Sequence, residues 1–425
     1  MLQAHHRIAP PRYAMTVPPA RPMASLMREA AFRRIWLVGL LGGVARWLEM
    51  LVVAIYAIET TNSPFLVALL ILLRMLPFAL FGPLVGAFAD RLPPRPCLAG
   101  AFLMGALVAG GVLVLFMTGH DAYWVVAGAS MVSGLLWTTD MPLRRRMLGD
   151  IAGTERLAPA MGIDSATGNG TRALGPLLGG LLYQGLGAGG AFALSTLFYS
   201  VAVALILGLP RIAGSAATTA RGERLLRQMR EAVVFALSNR DMAAILLVTV
   251  IFNIWCFPVI SMIPVIGAEA LHLDPAWIGA LAACEGAGAL IGAMAAAMWA
   301  RPRLFRVIYV GGTGLYMVLA FLAGSLTAAL PVAFALFLVG LASACFGTMQ
   351  STLVYATAPP AMRGRLFGLL VLCIGSGLVG FANIGWMGDL YGGAAAVRIV
   401  ALEGLVPLLL LILFWRGTFS RKHDR

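Results

Sequence analysis

The fold class this sequence predicts is an all-α membrane protein: twelve transmembrane helices forming two pseudo-symmetric six-helix bundles. Three observations carry that expectation. Of 425 residues, 60% are hydrophobic and only 12% charged, with a mean hydropathy of +0.89, whereas a soluble domain carries about 25% charged residues. That much apolar surface exceeds what one aqueous core can bury, so the surrounding solvent is lipid. The apolar residues also fall into twelve runs, at about 35–58, 64–89, 97–118, 122–142, 158–184, 188–209, 242–268, 275–299, 305–325, 329–356, 364–388 and 394–415. Each run is near the roughly 20 residues a helix needs to cross a bilayer. Hydrocarbon cannot satisfy free backbone groups, which leaves helices or closed barrels, and these runs lack the short alternating pattern of barrel strands. Finally, one long polar stretch at 210–241 divides the twelve runs six and six.

In chain order, the expected parts are a tail with a surface helix (1–33), a first bundle (34–209), a linker (210–241), a second bundle (242–416) and a tail (417–425). Residues 1–24 are rich in proline and read as disordered. No cleavable-signal pattern precedes the first run. Ser25 opens an expected amphipathic helix over Leu26–Trp36 on the inner surface. The linker reads RGERLLRQMREAVVFALSNRD, with Leu225, Leu226, Met229 and Val233 on one helical face and Arg224, Arg227, Arg230 and Glu231 on the other. The five cysteines (Cys97, Cys256, Cys284, Cys345 and Cys373) lie in or at the ends of apolar runs, form no C-x-x-C pair, and read as small core residues with no metal or disulfide role.

Charge sets the topology. Of 31 Lys and Arg residues, 27 lie in the termini and the even-numbered connections; the odd-numbered connections carry Glu59, Asp121, Glu269 and Asp274 instead. The positive-inside rule places both termini in the cytoplasm. The net charge of +13 therefore reports orientation and contact with anionic lipid headgroups, and does not imply nucleic acid. No P-loop, H-E-x-x-H or G-x-S-x-G pattern is present, which argues against an ATP-driven pump or an enzyme.

The most informative stretch is Gly82–Pro96, GPLVGAFADRLPPRP. Gly82, Gly86 and Asp90 share one helix face, and small residues there let another helix approach closely. The segment resembles the loop 2–3 signature of the major facilitator superfamily, G-x-L-a-D-R-x-G-R-[KR]. Gly86, Ala89, Asp90, Arg91 and Arg95 match; prolines stand at the second glycine and at the last basic position. The start of the eleventh run, RGRLFG (Arg363–Gly368), is also typical of that family. The fifth run contains Arg172 and then Gly175-Pro176-x-x-Gly179-Gly180, which resembles the antiporter signature on the fifth helix of exporters, with Thr171 at the leading glycine. Gly82-x-x-x-Gly86 recurs 206 residues later as Gly288-x-x-x-Gly292, with Ala296 in place of Asp90; likewise Arg156 before the fifth run is echoed by Arg365 before the eleventh.

The resemblance covers residues 30–416 and looks most like the bacterial branch of siderophore and macrolide exporters. It implies alternating access in a bacterial inner membrane: the two halves rock about a midplane site, and inward protons drive a small organic molecule outward with no cofactor. It also implies a cytoplasmic gate in which the Asp90 region packs against Arg363–Gly368; Arg146 and its neighbours at the end of the fourth run supply cations. A symporter importing a metabolite, or a membrane sensor or scaffold, are the alternatives, and a monomer is expected.

Charges at membrane depth are costly and mark functional groups. Glu49, Glu285 and Asp164, in that order, are the candidate proton carriers. Arg46 and Glu49, three residues apart, are placed to pair with each other. Asp140 ends the fourth run. Candidate cavity residues are Arg46, Arg74, Asn253, Trp255, Gln350 and Asn383.

Overall fold

In the computed structural model, residues 22–89, 93–210, 222–359 and 362–419 are described, and all the regular structure among them is helical. A short α1 (Pro22–Arg28) precedes α2 (Ala30–Thr61), α3 (Pro64–Ala89) and α4 (Pro94–Thr118). The run Tyr123–Leu207 is broken where Gly153 (φ 72°) and Gly187 (φ 66°) leave helical geometry, a backbone region open to glycine. The breaks yield α5 (123–152), α6 (154–186) and α7 (188–207). The linker helix α8 (Gly222–Ser238) leads to α9 (Arg240–Ala270), α10 (Pro275–Trp299), α11 (Phe305–Ala323), α12 (Ala329–Thr357), α13 (Arg363–Tyr391) and α14 (Gly393–Phe419). Six crossing elements, α2–α7, precede α8 and six, α9–α14, follow it. Among the described residues, ten stretches meet the length and apolarity of a membrane span, one of them the double-length 155–207; α5 is not among them.

Two expectations are corrected. Leu26–Trp36 is not a separate surface helix. Glu29 is extended (φ −77°, ψ 120°), and from Ala30 the chain is already α2; Leu26, Phe32 and Ile35 are fully buried, so this segment is held by packing within the first bundle. On α8, Ala232 and Ala236 are buried while Val233, expected on the apolar face, is 38% exposed; the side chains of Leu225, Leu226 and Met229 lie outside the described residues. Residues 1–21 and 211–221 lie outside the described residues.

Proline shapes two of the spans that line the centre. In α9, Pro258 and Pro264 remove helix N–H donors, and the helix shifts through a π turn (Phe252–Cys256) and a 3-10 turn (Phe257–Ser261). The freed Ile254 carbonyl lies against Gly380 of α13, where a Cβ would come within 2.2 Å of it. In α6, Pro176 frees the Arg172 carbonyl in the same way, and it packs against Gly286 of α10 at a hypothetical Cβ distance of 2.5 Å.

The two bundles meet along α3 against α13 and α6 against α10. Gly82 faces Val371, Gly375 faces Ala79, Gly385 faces Phe65 and Ala68, and Gly388 faces Pro64. On the other side, Gly180 faces Pro275 and Gly279. The repeated glycine pair does not repeat its contact: Gly82 touches the opposite bundle, whereas Gly288 and Gly292 pack against Phe337 and Leu341 of α12 in their own. The repeated arginines do repeat theirs. Arg156 pairs with Glu29 ahead of α2, and Arg365 pairs at 2.5 Å with Glu231 ahead of α9.

Candidate functional site: an ion pair between the bundles

A cavity lies between the bundles. Trp47, Met50, Leu51 and Ala54 of α2, Ile71 of α3, and Arg172 and Pro176 of α6 line it from one side; Ile260 and Pro264 of α9 and Ala282 and Glu285 of α10 line it from the other. The wall is apolar except for one charged pair. The Arg172 guanidinium donates through Nε to Glu285 Oε2 at 2.8 Å and through Nη2 to Oε1 at 2.5 Å. Such a two-pronged match between a planar fork and a carboxylate is strong and directional. Among the described residues, no other salt bridge joins the two bundles.

The backbone fixes this pair. Glu285 is 2% exposed, and its carbonyl fits against Gly340 of α12, where a Cβ would come within 1.9 Å. Next to it, Gly286 accepts the Arg172 backbone. The Arg172 guanidinium lies 5.4 Å from the Trp47 ring centroid, within cation–π range. Gly175 and Gly179 let α6 press onto α2 at Trp47 and Leu48. The Arg172–Gly180 segment therefore packs α6 onto two helices, one in each bundle, and carries a cation into the seam.

The other predicted acids lie elsewhere. Glu49 does not pair with Arg46. It pairs with Arg74 of α3 at 2.9 Å inside the first bundle; Arg46 turns to Asp140 of α5 at 2.9 Å and lies 5.2 Å from the Trp137 ring. Helical spacing allowed the Arg46–Glu49 contact, but the buried cation on α3 and the buried acid on α5 are the partners that packing supplies. Asp140 also accepts from Arg144 at 3.1 Å, and Asp164 of α6 accepts from Arg144 and, at 3.1 Å, from Arg145. Three arginines and two acids thus tie α2, α5 and α6 together, with Gly39 leaving room for the Arg144 guanidinium.

None of the candidate cavity residues Arg46, Arg74, Asn253, Trp255, Gln350 and Asn383 lines this cavity. Asn253 donates to the Thr249 carbonyl at 2.9 Å and Gln350 to the Thr249 hydroxyl at 3.2 Å, in a buried cluster with Tyr309. Trp255 and Asn383 both donate to Glu403 of α14, at 3.2 and 2.8 Å. Glu403 was missed; a single acid inside the last apolar run was the available signal.

Of the expected gate, Asp90 and Arg91 lie outside the described residues, and for Gly86 only its helical backbone is described. Arg95 caps α7, donating to the carbonyls of Ile206 at 3.2 Å and of Leu207, a favourable place for a cation at a helix C-terminus. Arg363 stacks on Tyr355, with its Cζ 3.8 Å from the ring centroid. Arg365 is taken up by Glu231, and Arg146 is half-buried on α5. At the opposite end of the molecule, Asp389 of α13 accepts from the Ser63 hydroxyl at 2.9 Å and the Phe65 N–H at 2.8 Å.

Comparisons with known proteins agree with this architecture. The family model of the Major Facilitator Superfamily matches residues 35–382. Macrolide efflux protein A of Streptococcus pyogenes is 22% identical over 348 residues, covering 80% of this chain and 84% of that protein. The uncharacterized MFS-type transporter YfiS of Bacillus subtilis is 23% identical over 379 residues, covering 85% and 89%. Among solved structures, nucleoside transporter NupG superposes with a TM-score of 0.71 at 12% identity over 92% of this chain and 99% of that one. A bacterial homologue of the human lysosomal transporter Spinster, in an inward-facing state, gives 0.69 at 14% identity over 93% and 97%.

Proposed function

The chain belongs to the Major Facilitator Superfamily, and on that premise we propose that it is a proton-coupled exporter of a small apolar organic molecule, with Glu285 as the coupling acid. The observation that carries this reading is the Arg172–Glu285 pair, which is at once the polar feature of an apolar cavity and the salt bridge between two bundles that must move against each other. A proton on Glu285 removes the carboxylate charge and releases Arg172, so occupancy by a proton and the relative position of the bundles become linked quantities. The apolar wall of Trp47, Met50, Leu51, Ile71 and Ile260 suits a hydrophobic or amphipathic molecule. The names of the macrolide efflux relatives favour export.

In the proposed setting, a bacterial inner membrane with both termini in the cytoplasm, the seam closed by Gly180 with Pro275 and by Pro64 with Gly388 faces outward. One proton entering down 100 mV gains about 2.3 kcal/mol, which supports accumulation of roughly fiftyfold. The test is transport in everted vesicles with an inwardly acidic gradient. The wild type is expected to concentrate a hydrophobic drug, and Glu285→Gln to lose gradient-driven uptake while keeping substrate exchange. Uptake only in right-side-out vesicles reverses the direction, and undiminished driven flux in Glu285→Gln removes this acid from the coupling.

A further inference from the structure

Glu49, Asp140, Asp164 and Glu285, acids set deep in the other helices, each meet an arginine. Glu403 of α14 does not: among the described residues it takes part in no salt bridge. It sits ten residues from both Gly393 and Leu413, the ends of the apolar span of α14, so each end is about 15 Å away at 1.5 Å per residue. Arg398, the nearest cation on the same helix, is five residues back and about 140° round the axis. A bare carboxylate at that depth is costly and marks a functional group.

The packing duty of Glu403 does not need its charge. Trp255 Nε1 and Asn383 Nδ2 both donate to Oε2, at 3.2 and 2.8 Å, and both donors are neutral. An amide oxygen accepts the same two bonds. Oε1 accepts none among the described residues, and it is not sealed in the interior.

The neighbours show where this oxygen opens. Val406 and Leu410, three and seven residues beyond Glu403, share its helix face and are exposed. On α13, Val379 and Trp386 share the face of Asn383 and are exposed as well. The carboxylate and the amide therefore lie in a groove between α13 and α14, with apolar rims toward the acyl chains and Trp255 of α9 behind. None of these three residues lines the central cavity.

A negative charge whose donors are spent on one oxygen calls for a cation that donates to the other. A phospholipid headgroup stays at the interface and does not reach the midplane. An ammonium carried on an apolar body does, because the body dissolves among the rim residues. We propose that the α13–α14 groove is a bilayer-facing binding site for lipophilic amines, in which the ammonium pairs with Glu403 Oε1 while Oε2 stays on Trp255 and Asn383. The bound pair is neutral and so leaves no uncompensated charge in hydrocarbon. The site depends on neither the direction of transport nor the coupling acid, and it holds an amine outside the central cavity.

The test uses the full-length protein, labelled with fluorotryptophan, in phosphatidylcholine nanodiscs. Two probes share one nitroxide-bearing alkyl chain; one ends in a tertiary amine, the other in a hydroxyl group. Fluorine NMR reads the broadening each probe causes. Trp124 and Trp277, exposed on α5 and α10, report probe merely dissolved in lipid. The amine is expected to broaden the Trp255 and Trp386 signals severalfold more than the alcohol does, and the two probes to act alike on Trp124 and Trp277. Glu403→Gln, which keeps the acceptor oxygen, is expected to abolish the excess, and Glu285→Gln to retain it. Equal broadening by amine and alcohol in the wild type overturns the proposal without recourse to any variant. An excess that survives Glu403→Gln, or that disappears in Glu285→Gln, overturns it too, the latter by placing the amine in the central cavity.

Discussion

Asp389, on α13 of the second bundle, accepts the backbone N–H of Phe65, the second residue of α3 in the first bundle, at 2.8 Å. The Ser63 hydroxyl sits at the N-cap position, accepting from Leu66 N at 3.2 Å and donating to the same carboxylate at 2.9 Å. One bundle therefore caps a helix of the other, at the end where Gly385 and Gly388 let the two backbones close. Four N–H groups at a helix start need partners, and opening this end returns one of them to solvent.

Removing the cap weakens closure of that end. An N-cap acceptor is worth about 0.5–2 kcal/mol, so Asp389→Ala is expected to raise the population open at this end roughly two- to thirtyfold. Asp389→Asn, which keeps an oxygen acceptor, has a smaller effect. Electron-electron spin distances between labels in the 119–122 and 324–328 connections measure the populations. Identical distance distributions in wild type and Asp389→Ala would show that the contact does not hold the two bundles together.

The Arg172–Glu285 pair carries a signature that separates lost charge from lost packing. Removing one partner of a buried pair leaves an uncompensated charge and costs about 3–5 kcal/mol, whereas replacing both with apolar residues is often neutral. Arg172→Met and Glu285→Leu are each expected to lower thermal stability in detergent, and the double variant to recover most of the loss. Driven transport stays absent in all three. Additive destabilisation in the double variant would mean that the two residues do not act as a pair.

The fold was legible because lipid imposes one rule on every span, and the apolar runs obey it with the exception of the fourth, whose helix is not apolar enough to meet the span criterion. The site was legible only in part. Arg172, Pro176 and Glu285 stand out in sequence, since charges and prolines inside apolar runs have few uses, and all three line the cavity. The remaining wall did not stand out, because Met50, Leu51 and Ile71 differ in no visible way from lipid-facing residues. Polarity alone does not select the residues that line this cavity. Arg46 and Trp47 are neighbours, yet about 100° of helix rotation sends one to Asp140 and the other to the cavity. Pairings between helices, such as Glu49 with Arg74, depend on crossing points like Gly134 that no local spacing encodes.

The charge cluster of the first bundle is expected to respond very unevenly. Asp140 has 2% side-chain exposure and holds both Arg46 and Arg144. Asp140→Ala therefore leaves two guanidiniums without this partner and costs about 3–5 kcal/mol. Arg145, with a 42% exposed side chain, shares Asp164 with Arg144; Arg145→Ala is expected to cost about 0–1 kcal/mol, the range of surface pairs. Thermal unfolding in detergent compares the two. Equal losses would mean that the cluster is solvated throughout.

Glu403 is the anchor that ties α14 to the rest of the second bundle. Its Oε2 accepts from Trp255 Nε1 at 3.2 Å and from Asn383 Nδ2 at 2.8 Å, so one atom joins α9, α13 and α14. Gly404 allows the approach, since a Cβ there would lie 2.6 Å from the Trp255 Cβ. The geometry asks for an acceptor more than for a charge. Glu403→Gln, which keeps a carbonyl oxygen of similar reach, is expected to stay within about 1 kcal/mol of wild type. Glu403→Leu strands two donors and is expected to cost about 1–3 kcal/mol for each one left unpaired. Adding Trp255→Phe to Glu403→Leu removes one stranded donor, so the double variant is expected to lose less than the sum of the two single losses. Denaturation of the four variants in mixed micelles completes the cycle; a strictly additive result would show that the indole and the carboxylate share no bond.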